Sequence, residues 1–309
     1  MVKLIPYYKS NDSKIVNNTL INWGLEAIQV KKLWDENIYG EGSIIAVIDT
    51  GCDTNHVSLS NNIIGGANFS ADYSSRFDIY EDNNGHGTHV AGIIAANNLN
   101  SNIQIGVAPK AKLLILKALK GDGSGSIDSL VRALYYAASW RGQNNEKVDI
   151  ISLSLGTPED SPDLKEAVQF VVSKNISIVA ASGNDGDGTT KEEYRFPGAY
   201  NEVIEVGAID ENFQPAYFSN NNSELDLVAP GTNILSTFIN NRYKTLSGTS
   251  MAAPFIAGVL ALLKEKSRIL FEREPTEPEI YAQLIKSTKL TGSPKLIGNG
   301  VLDLNKSFK

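Results

Sequence analysis

The sequence predicts an α/β fold in which a central, mostly parallel sheet is covered by helices on both faces. Short and almost continuous apolar runs alternate along the chain with segments of helical periodicity. Strands of parallel sheets are buried on both faces and read as such runs, and an alternation of strands and helices is typical of this class. The 309 residues contain no internal repeat and no linker, so we expect one large domain.

Strands and helices follow one another from residue 44 onward. Apolar runs predict buried strands at 44–48, 113–116, 148–153, 176–181 and 203–209. Apolar residues at helical spacing predict helices at 86–97, 126–140, 161–174 and 249–264. The third helix begins with Ser161-Pro162-Asp163, which supplies an N-cap, a first-turn proline and an acid. The Lys/Glu-rich stretch 264–279 is expected to be a solvated helix end and turn, and the polar residues 1–22 an extension outside the fold.

The composition argues against several classes of function. A net charge of −7, a pI near 5.1 and the lack of Lys/Arg runs argue against a nucleic-acid partner. The single cysteine, Cys52, excludes an intrachain disulfide and fits a reducing compartment. No run approaches the roughly 20 apolar residues of a membrane span, and the N-terminal residues lack the apolar stretch of a secretion signal. We therefore expect a cytoplasmic protein without a membrane partner.

Three glycine-rich segments carry the groups of a nucleophilic active site. An apolar run ends in Asp49-Thr50-Gly51, His86 lies within Asn-Gly-His-Gly-Thr-His, and Ser250 lies within Ser-Gly-Thr-Ser-Met-Ala-Ala-Pro. A serine hydroxyl needs a base at hydrogen-bond distance, and that base needs an orienting carboxylate. Ser250 is predicted at the start of a helix, whose free N–H groups favour an oxyanion. Asp49 ends a predicted strand, at the edge of the sheet where active sites of such folds lie.

The same residues have alternative interpretations. An Asp-Thr-Gly tripeptide also occurs in aspartic proteases and by itself predicts only a turn. His86 and His89 have the spacing of two metal ligands on a helix, but that helix lacks the third ligand and the general-base Glu of a zinc hydrolase. We expect His89 to pack internally and His56 to lie at the surface. Cys52 is expected to be an inert small hydrophobic residue rather than a reactive thiol.

These motifs and their order make the chain resemble the subtilisin family of serine proteases, the subtilases, from about Trp23 to the C-terminus. It looks most like the intracellular subtilisins of Gram-positive bacteria, to whose N-terminal residues Leu4-Ile5-Pro6-Tyr7 is similar. The resemblance implies a subtilisin-like three-layer α/β/α catalytic domain at 23–309 behind an N-terminal extension at 1–22. It also implies a serine endopeptidase that acts on peptides or proteins through an acyl-enzyme at Ser250. A homodimer is left open.

The resemblance implies further roles around the triad. Asn184 matches the oxyanion-hole asparagine of the family, although its Gly-Asn-Asp-Gly string alone predicts a tight turn. Two segments would pair with the backbone of an extended peptide. They are Gly123-Ser124-Gly125 and Ser154-Leu155-Gly156.

Arg195 is the candidate for a specificity residue. By resemblance it occupies the floor of the main side-chain pocket, where relatives often carry a small residue. A guanidinium there would favour P1 side chains with acceptor oxygens, such as Gln or Glu. In the competing interpretation Arg195 turns outward, pairs with Glu192 or Glu193, and leaves a roomy apolar pocket.

Structural calcium is also implied, because subtilases often hold it. The loop from Asn97 to Gln104 is similar to a calcium loop of the family, with Asn98, Asn100 and Asn102 as candidate ligands. The loop departs from the family in length, and Ser58 stands where relatives usually carry an Asp ligand. Calcium bound by amide and backbone oxygens alone is held more weakly. The peptidase chemistry itself needs no cofactor.

Three physiological roles are compatible with the sequence. The first is general intracellular proteolysis, with Leu4-Ile5-Pro6-Tyr7 lying in the cleft and holding the enzyme inactive. The second is a dedicated maturation peptidase like the lantibiotic leader peptidases, favoured by Ser58, Arg195 and the unusual Ala253-Pro254-Phe255-Ile256. An inactive binding scaffold is disfavoured, because all four catalytic residues are present.

Overall fold

The computed structural model describes residues 1–5, 7–9, 22–97, 106–189 and 191–308. The helices of this part of the chain are α1 (Trp23–Ala27), α2 (Lys31–Asp35), α3 (His86–Ala95), α4 (Ile127–Ser139), α5 (Pro162–Ser173), α6 (Thr249–Phe271), α7 (Glu277–Lys286) and α8 (Pro294–Ile297). None of them is long and apolar enough to cross a membrane.

The strands of the same part of the chain alternate with these helices as predicted. They are β1 (Val2–Leu4), β2 (Tyr8–Lys9), β3 (Ile44–Asp49), β4 (Ile63–Asn68), β5 (Lys112–Lys117), β6 (Ser124–Gly125), β7 (Ile150–Leu153), β8 (Leu155–Gly156), β9 (Ser177–Ala181), β10 (Ile204–Ile209), β11 (Leu227–Pro230), β12 (Ile234–Phe238), β13 (Arg242–Ser247), β14 (Thr288–Lys289) and β15 (Val301–Leu302).

A central sheet organises the molecule. Among the described residues it contains nine strands in the order β14-β15-β11-β10-β9-β7-β3-β5-β4. Every neighbouring pair is parallel except the antiparallel pair of β14 and β15 at one edge. Strand β3 lies inside the sheet between β5 and β7, so its carboxyl end at Asp49 is surrounded by the ends of neighbouring strands.

Helices cover both faces of this sheet. Ile45 and Val47 of β3 pack into a core with α3 and α6, whereas Ala46 and Ile48 pack into a second core with α4 and α5. Successive side chains of a strand point to opposite faces, which is why one buried strand serves two cores. The predicted three-layer α/β/α arrangement is therefore confirmed.

Two small antiparallel sheets lie at the carboxyl edge of the central sheet, and both include N-terminal residues. One has the order β6-β1-β8 and the other β12-β13-β2. The side chains of Val2 and Ile5 are buried. The prediction that residues 1–22 lie outside the fold was therefore wrong for the start of the chain, because these residues complete sheets. Pro6 and residues 10–21 lie outside the described residues.

Two predictions of solvent exposure were also wrong. Lys264 and Glu265, in the stretch predicted to be a solvated helix end, are buried because Lys264 Nζ pairs with Asp149 Oδ1 at 3.0 Å and Glu265 Oε2 accepts three backbone N–H groups. His56 is buried because its Nε2 contacts the Arg242 carbonyl oxygen at 3.0 Å and its Nδ1 accepts the N–H of Ser58 at 3.1 Å.

Candidate active site

Asp49 and His86 form a buried pair at the carboxyl edge of the sheet. His86 Nδ1 lies 2.9 Å from Asp49 Oδ1 and 3.0 Å from Oδ2, and both residues are almost completely buried. The backbone N–H of Thr50 donates to Asp49 Oδ1 at 2.7 Å and holds the carboxylate in place. An ionised carboxylate only accepts hydrogen bonds, so Nδ1 carries the imidazole proton. In the neutral imidazole, Nε2 then presents its lone pair, as a general base must.

The start of α3 is built against the Asp49–Gly51 turn. The N–H of Gly87 donates to Thr50 Oγ1 at 3.0 Å, and a Cβ on Gly87 would collide with the Gly51 carbonyl oxygen. Asp82 joins the two segments, because Oδ1 accepts from Thr50 Oγ1 at 2.9 Å and Oδ2 accepts from the N–H of Thr88 at 3.0 Å. Sequence reasoning missed Asp82. Asp82 lies three residues before Gly85, the N-cap of α3, so no local capping pattern pointed to it.

Ser250 lies in the first turn of α6 and is fully buried. Its Oγ donates to the carbonyl oxygen of Ser154 at 3.3 Å, and Ser154 Oγ donates to the carbonyl oxygen of Ser250 at 2.9 Å. His86 Nε2 has no hydrogen-bond partner among the described residues. The structure thus gathers a carboxylate, an imidazole and a hydroxyl at one edge, with the hydroxyl turned toward Ser154 rather than toward the base.

Asn184 lies against the same helix start. Its Oδ1 accepts from the backbone N–H and from Oγ1 of Thr249, each at 2.9 Å. Its Nδ2 lies 2.9 Å from the position that a Cβ on Gly248 would occupy. The amide is therefore oriented by Thr249 and directs its N–H₂ group toward the segment that precedes Ser250.

The two predicted cleft segments face one another across the first strand of the chain. Strand β1 pairs antiparallel with β6, with Val2 opposite Gly125 and Lys3 opposite Ser124. It also pairs antiparallel with β8, with Lys3 opposite Gly156 and Leu4 opposite Leu155. The Leu4 side chain lies beside Gly123, where a Cβ would be 2.9 Å from Leu4 Cδ1. A segment of the chain itself thus lies as an extended strand between the two predicted cleft segments.

The segment continues past the triad. The rings of Tyr7 and His86 have centroids 5.3 Å apart. Tyr8 then pairs with Ser247 of β13 and packs on Phe218, with ring centroids 5.1 Å apart. Burial, and next the charge of Asp49, raise the pKa of the Tyr7 phenol, so it stays neutral beside the base.

Arg195 lies beside the cleft but pairs with a residue that neither interpretation named. Its Nε and Nη2 donate to the two oxygens of Asp185, each at 2.7 Å. Its Cβ and Cγ lie against Gly156 and Gly183. The outward interpretation named the wrong partners, because packing on these two glycines directs the guanidinium to Asp185. The hydrogen bonds from Arg195 hold the pKa of Asp185 below its usual range.

A known protein family and several known proteins match most of the chain. The subtilase family model matches residues 40–300. The chain is 50% identical to an intracellular serine protease of Paenibacillus polymyxa, over 98% of this chain and 90% of that protein. It is 47% identical to the major intracellular serine protease of Bacillus subtilis, over 98% and 93%, and 39% identical to subtilisin Savinase of Lederbergia lenta, over 92% and 97%.

The chain belongs to the subtilase family. It is a subtilisin-like serine protease, and its substrates are peptides or proteins. The predicted family and enzyme class are thereby confirmed.

The alternative metal and thiol sites of this subtilase find no support. His89 Nε2 contacts the carbonyl oxygens of Ile234 and Lys244 at 3.1 and 2.9 Å, and burial lowers its pKa to about 3. Cys52 is buried, and burial raises the pKa of its thiol well above the usual range. Within the described ranges, no group of three or more His, Cys, Asp or Glu residues could hold a metal ion.

The proposed calcium ligands of the subtilase, Asn98, Asn100 and Asn102, lie outside the described residues. Beside that loop, the Ser58 carbonyl oxygen accepts the N–H of Asn97 at 2.7 Å, and Ser58 Oγ contacts the Tyr243 hydroxyl at 2.8 Å. Both oxygens of Ser58 therefore have partners within the protein.

Proposed function

We propose that this subtilase is a serine endopeptidase with the triad Asp49, His86 and Ser250. Ser250 Oγ attacks the peptide carbonyl carbon while His86 Nε2 takes its proton, and Asp49 stabilises the resulting imidazolium. The Asn184 amide and the backbone N–H of Ser250 hold the oxyanion. His86 then gives the proton to the leaving amine, and water hydrolyses the acyl-enzyme in a second cycle of the same steps. No cofactor is required.

We propose that the substrate lies as an extended strand between Gly123–Gly125 and Ser154–Gly156. The observation that carries this proposal is β1, which already makes antiparallel pairs with β6 and β8. Backbone pairing to an added strand gives affinity, and pockets for alternate side chains give specificity. Val2 and Ile5 are the buried side chains of the segment, so they indicate where two such pockets lie.

We further propose that residues 1–22 form an inhibitory extension and residues 23–309 the catalytic domain. Three features support inhibition. Strand β1 fills the cleft, the ring of Tyr7 covers His86, and Ser250 Oγ is turned to the Ser154 carbonyl oxygen. The predicted role of Pro6 stays a prediction, because that residue lies outside the described part of the chain.

A single experiment tests catalysis and inhibition separately. The full chain and a shortened chain starting at Asn18 are compared for kcat/KM on a small peptide substrate and for the rate of labelling by a fluorophosphonate. We expect both chains to be labelled at Ser250, the shortened one much faster, and Ser250→Ala not at all. Equal kcat/KM in the two chains would refute inhibition. A shortened chain that folds but is neither labelled nor active would refute the triad.

We propose an intracellular location and a role in general proteolysis. Relatives that are named intracellular serine proteases align with nearly the whole chain. The maturation-peptidase alternative is not favoured, because the unusual residues that suggested it have structural partners. Phe255 is fully buried against Gly24, Ser58 contacts Tyr243 and Arg195 pairs with Asp185.

Structural calcium stays a prediction from the family. Asn98, Asn100 and Asn102 would hold it through amide and backbone oxygens, and it would stabilise the fold without taking part in hydrolysis. The test is the Tm of the full chain with excess calcium and with a chelator. A Tm that is unchanged by the chelator would contradict the prediction.

A further inference from the structure

Lys117 is a buried ammonium beside the triad acid. It ends β5, directly opposite Asp49 in the register of β3 and β5. Its side chain is fully buried, although it is one of the longest and most strongly hydrated in proteins. Such a group is retained only where fixed oxygen atoms replace the water that it loses.

The backbone oxygens around Lys117 come from the turn after Asp49 and from the loop that leads to β6. Nζ donates to the Thr50 carbonyl oxygen at 2.7 Å, in the turn that follows Asp49. It also donates to the Leu119 carbonyl oxygen at 3.0 Å, in the loop that leads to β6. The Asp49 carbonyl oxygen in turn accepts the N–H of Leu119 at 3.1 Å. One ammonium thus joins the turn of the triad acid to the loop of the cleft.

Asp72 extends this network to the cleft loop. Its Oδ2 lies 3.2 Å from Lys117 Nζ and accepts the backbone N–H of Gly121 at 2.8 Å. Asn83 completes the ring, since its Oδ1 accepts from Lys117 Nζ at 3.0 Å and its Nδ2 donates to Asp72 Oδ2 at 2.9 Å. The side chains of Lys117, Asp72 and Asn83 therefore form a closed ring of contacts, in which each side chain is held by the other two.

We propose that Lys117 is a positioning residue for peptide hydrolysis, which fixes the Asp49–Thr50 turn relative to the cleft strand Ser124–Gly125. This inference rests on the proposed function, because it assigns to Lys117 an effect on the triad and on the substrate cleft together. Among the described residues, the Lys117 side chain makes no hydrogen bond to His86 or Ser250, so it acts through Thr50 and Leu119.

The charge of Lys117 also contributes to the electrostatics of the triad. Its ammonium faces the carboxylates of Asp72, Asp82 and Asp49, and lies 5.7 Å from the centre of the Tyr73 ring. Burial lowers the pKa of Lys117, and pairing with Asp72 opposes that shift. Without this positive charge, the negative charge of the carboxylates is neutralised less, so they stabilise the imidazolium form of the base more strongly. The acid limb of the pH profile should then move to higher pH.

The test compares Lys117→Met with Lys112→Met in the full chain. Lys112 begins the same strand, but its side chain is exposed and donates to the Asn61 carbonyl oxygen. We measure kcat and KM separately on a peptide substrate, kcat/KM against pH, and Tm. Lys117→Met should lower kcat about tenfold or more, because small misplacements of reacting groups slow the reaction strongly. It should also raise KM. The midpoint of the acid limb of kcat/KM should move upward by roughly 0.5 pH unit. Lys112→Met should match the wild type.

A folded Lys117→Met with wild-type kcat, or with a lower Tm as its only change, would overturn the inference. If Lys117→Met does not fold, Asp72→Ala decides, because it keeps the ammonium and removes the oxygen that contacts Gly121. A lower kcat and a higher KM in Asp72→Ala support the inference, and wild-type values overturn it. The wild type is labelled with a fluorophosphonate first. A wild type that folds but reacts neither as the full chain nor as the chain starting at Asn18 would refute the proposed function, whereas a reactive wild type with unaltered variants would refute this inference alone.

Discussion

The ring of Tyr7 lies against the imidazole of His86, with centroids 5.3 Å apart and the two planes inclined by 38°. The position beside the base is therefore taken by a residue of the same chain. Because β1 precedes Tyr7 and lies between β6 and β8, the N-terminal segment lies on both the proposed substrate site and the proposed triad. Single substitutions can therefore test the contacts of the N-terminal segment separately.

The first prediction concerns the burial of Val2. Val2→Asp should weaken the binding of the N-terminal segment between β6 and β8, because burial of a valine side chain contributes about 1.5–3 kcal/mol to such binding. We expect kcat/KM of the full chain on a small peptide to rise roughly 10- to 100-fold if the segment inhibits. Lys3→Ser is the matched control, since Lys3 lies on the same strand with its side chain exposed. Equal kcat/KM in Val2→Asp and the wild type would contradict the prediction.

The second prediction separates the two ends of the Asn184 amide. Asn184→Asp keeps an oxygen that accepts the N–H of Thr249 but removes the N–H₂ donor. We expect Tm near that of the wild type and kcat lower by about 10²–10³, the magnitude known for loss of one oxyanion donor in subtilisin. Asn184→Ala should lower kcat similarly and also lower Tm. An unchanged kcat in both variants would show that Asn184 does not hold the oxyanion.

The third prediction concerns P1 selection. Because Asp185 accepts two hydrogen bonds from Arg195, we expect the wild type to prefer apolar P1 side chains, as the burial of Ile5 suggests. Asp185→Asn should raise the kcat/KM ratio of P1 Glu to P1 Leu. The side chains of Asp185 and Arg195 are 38% and 26% exposed, so solvent weakens their pairing. We therefore expect this ratio to rise only roughly 2- to 5-fold.

Glu192→Gln is the matched control for this prediction. Glu192 was one partner named by the outward interpretation of Arg195, and in the structure it accepts from the Tyr194 hydroxyl instead. Its substitution should leave the P1 ranking unchanged. A change of ranking in Glu192→Gln with none in Asp185→Asn would show that the Asp185 pair does not govern selection.

The fourth prediction concerns stability against pH. Glu205 on β10 is fully buried, one carboxyl oxygen accepts from Asn222 Nδ2 at 3.1 Å, and the other has no hydrogen-bond partner among the described residues. Burial raises its pKa from 4.5 to about 8. The folded state therefore binds this proton more tightly than the unfolded state. The free energy of unfolding falls as pH rises between these two values, by up to about 1.4 kcal/mol per pH unit.

Glu205→Gln removes this titration. Its Tm relative to the wild type should rise from pH 5 to pH 9, and most of the change should lie below pH 8. The exposed Glu166→Gln is the control and should show no such trend. A constant difference in Tm between Glu205→Gln and the wild type across this range would contradict the prediction.

Much of the fold could be predicted from local patterns. Residues 44–49 and 113–117 are buried on both faces, so their apolar runs could be recognised from the local sequence alone. Strand β4 was missed, because its half-buried residues include glycines, which give no apolar run in the sequence. The helix after Ser250 was predicted to end near Lys264, but Asp149 and Glu274 allow that charge to be buried within a longer helix.

The sequence by itself determined the identities of the candidate triad, because Asp49, His86 and Ser250 each lie in a short motif at the end of a strand or the start of a helix. Only the tertiary structure decided which oxygen Ser250 Oγ contacts, which acid Arg195 pairs with and where Lys117 places its charge. The physical reason is the range of the interactions. Strand and helix signals come from residues a few positions apart, whereas these partners are brought together by packing of elements far apart in the chain.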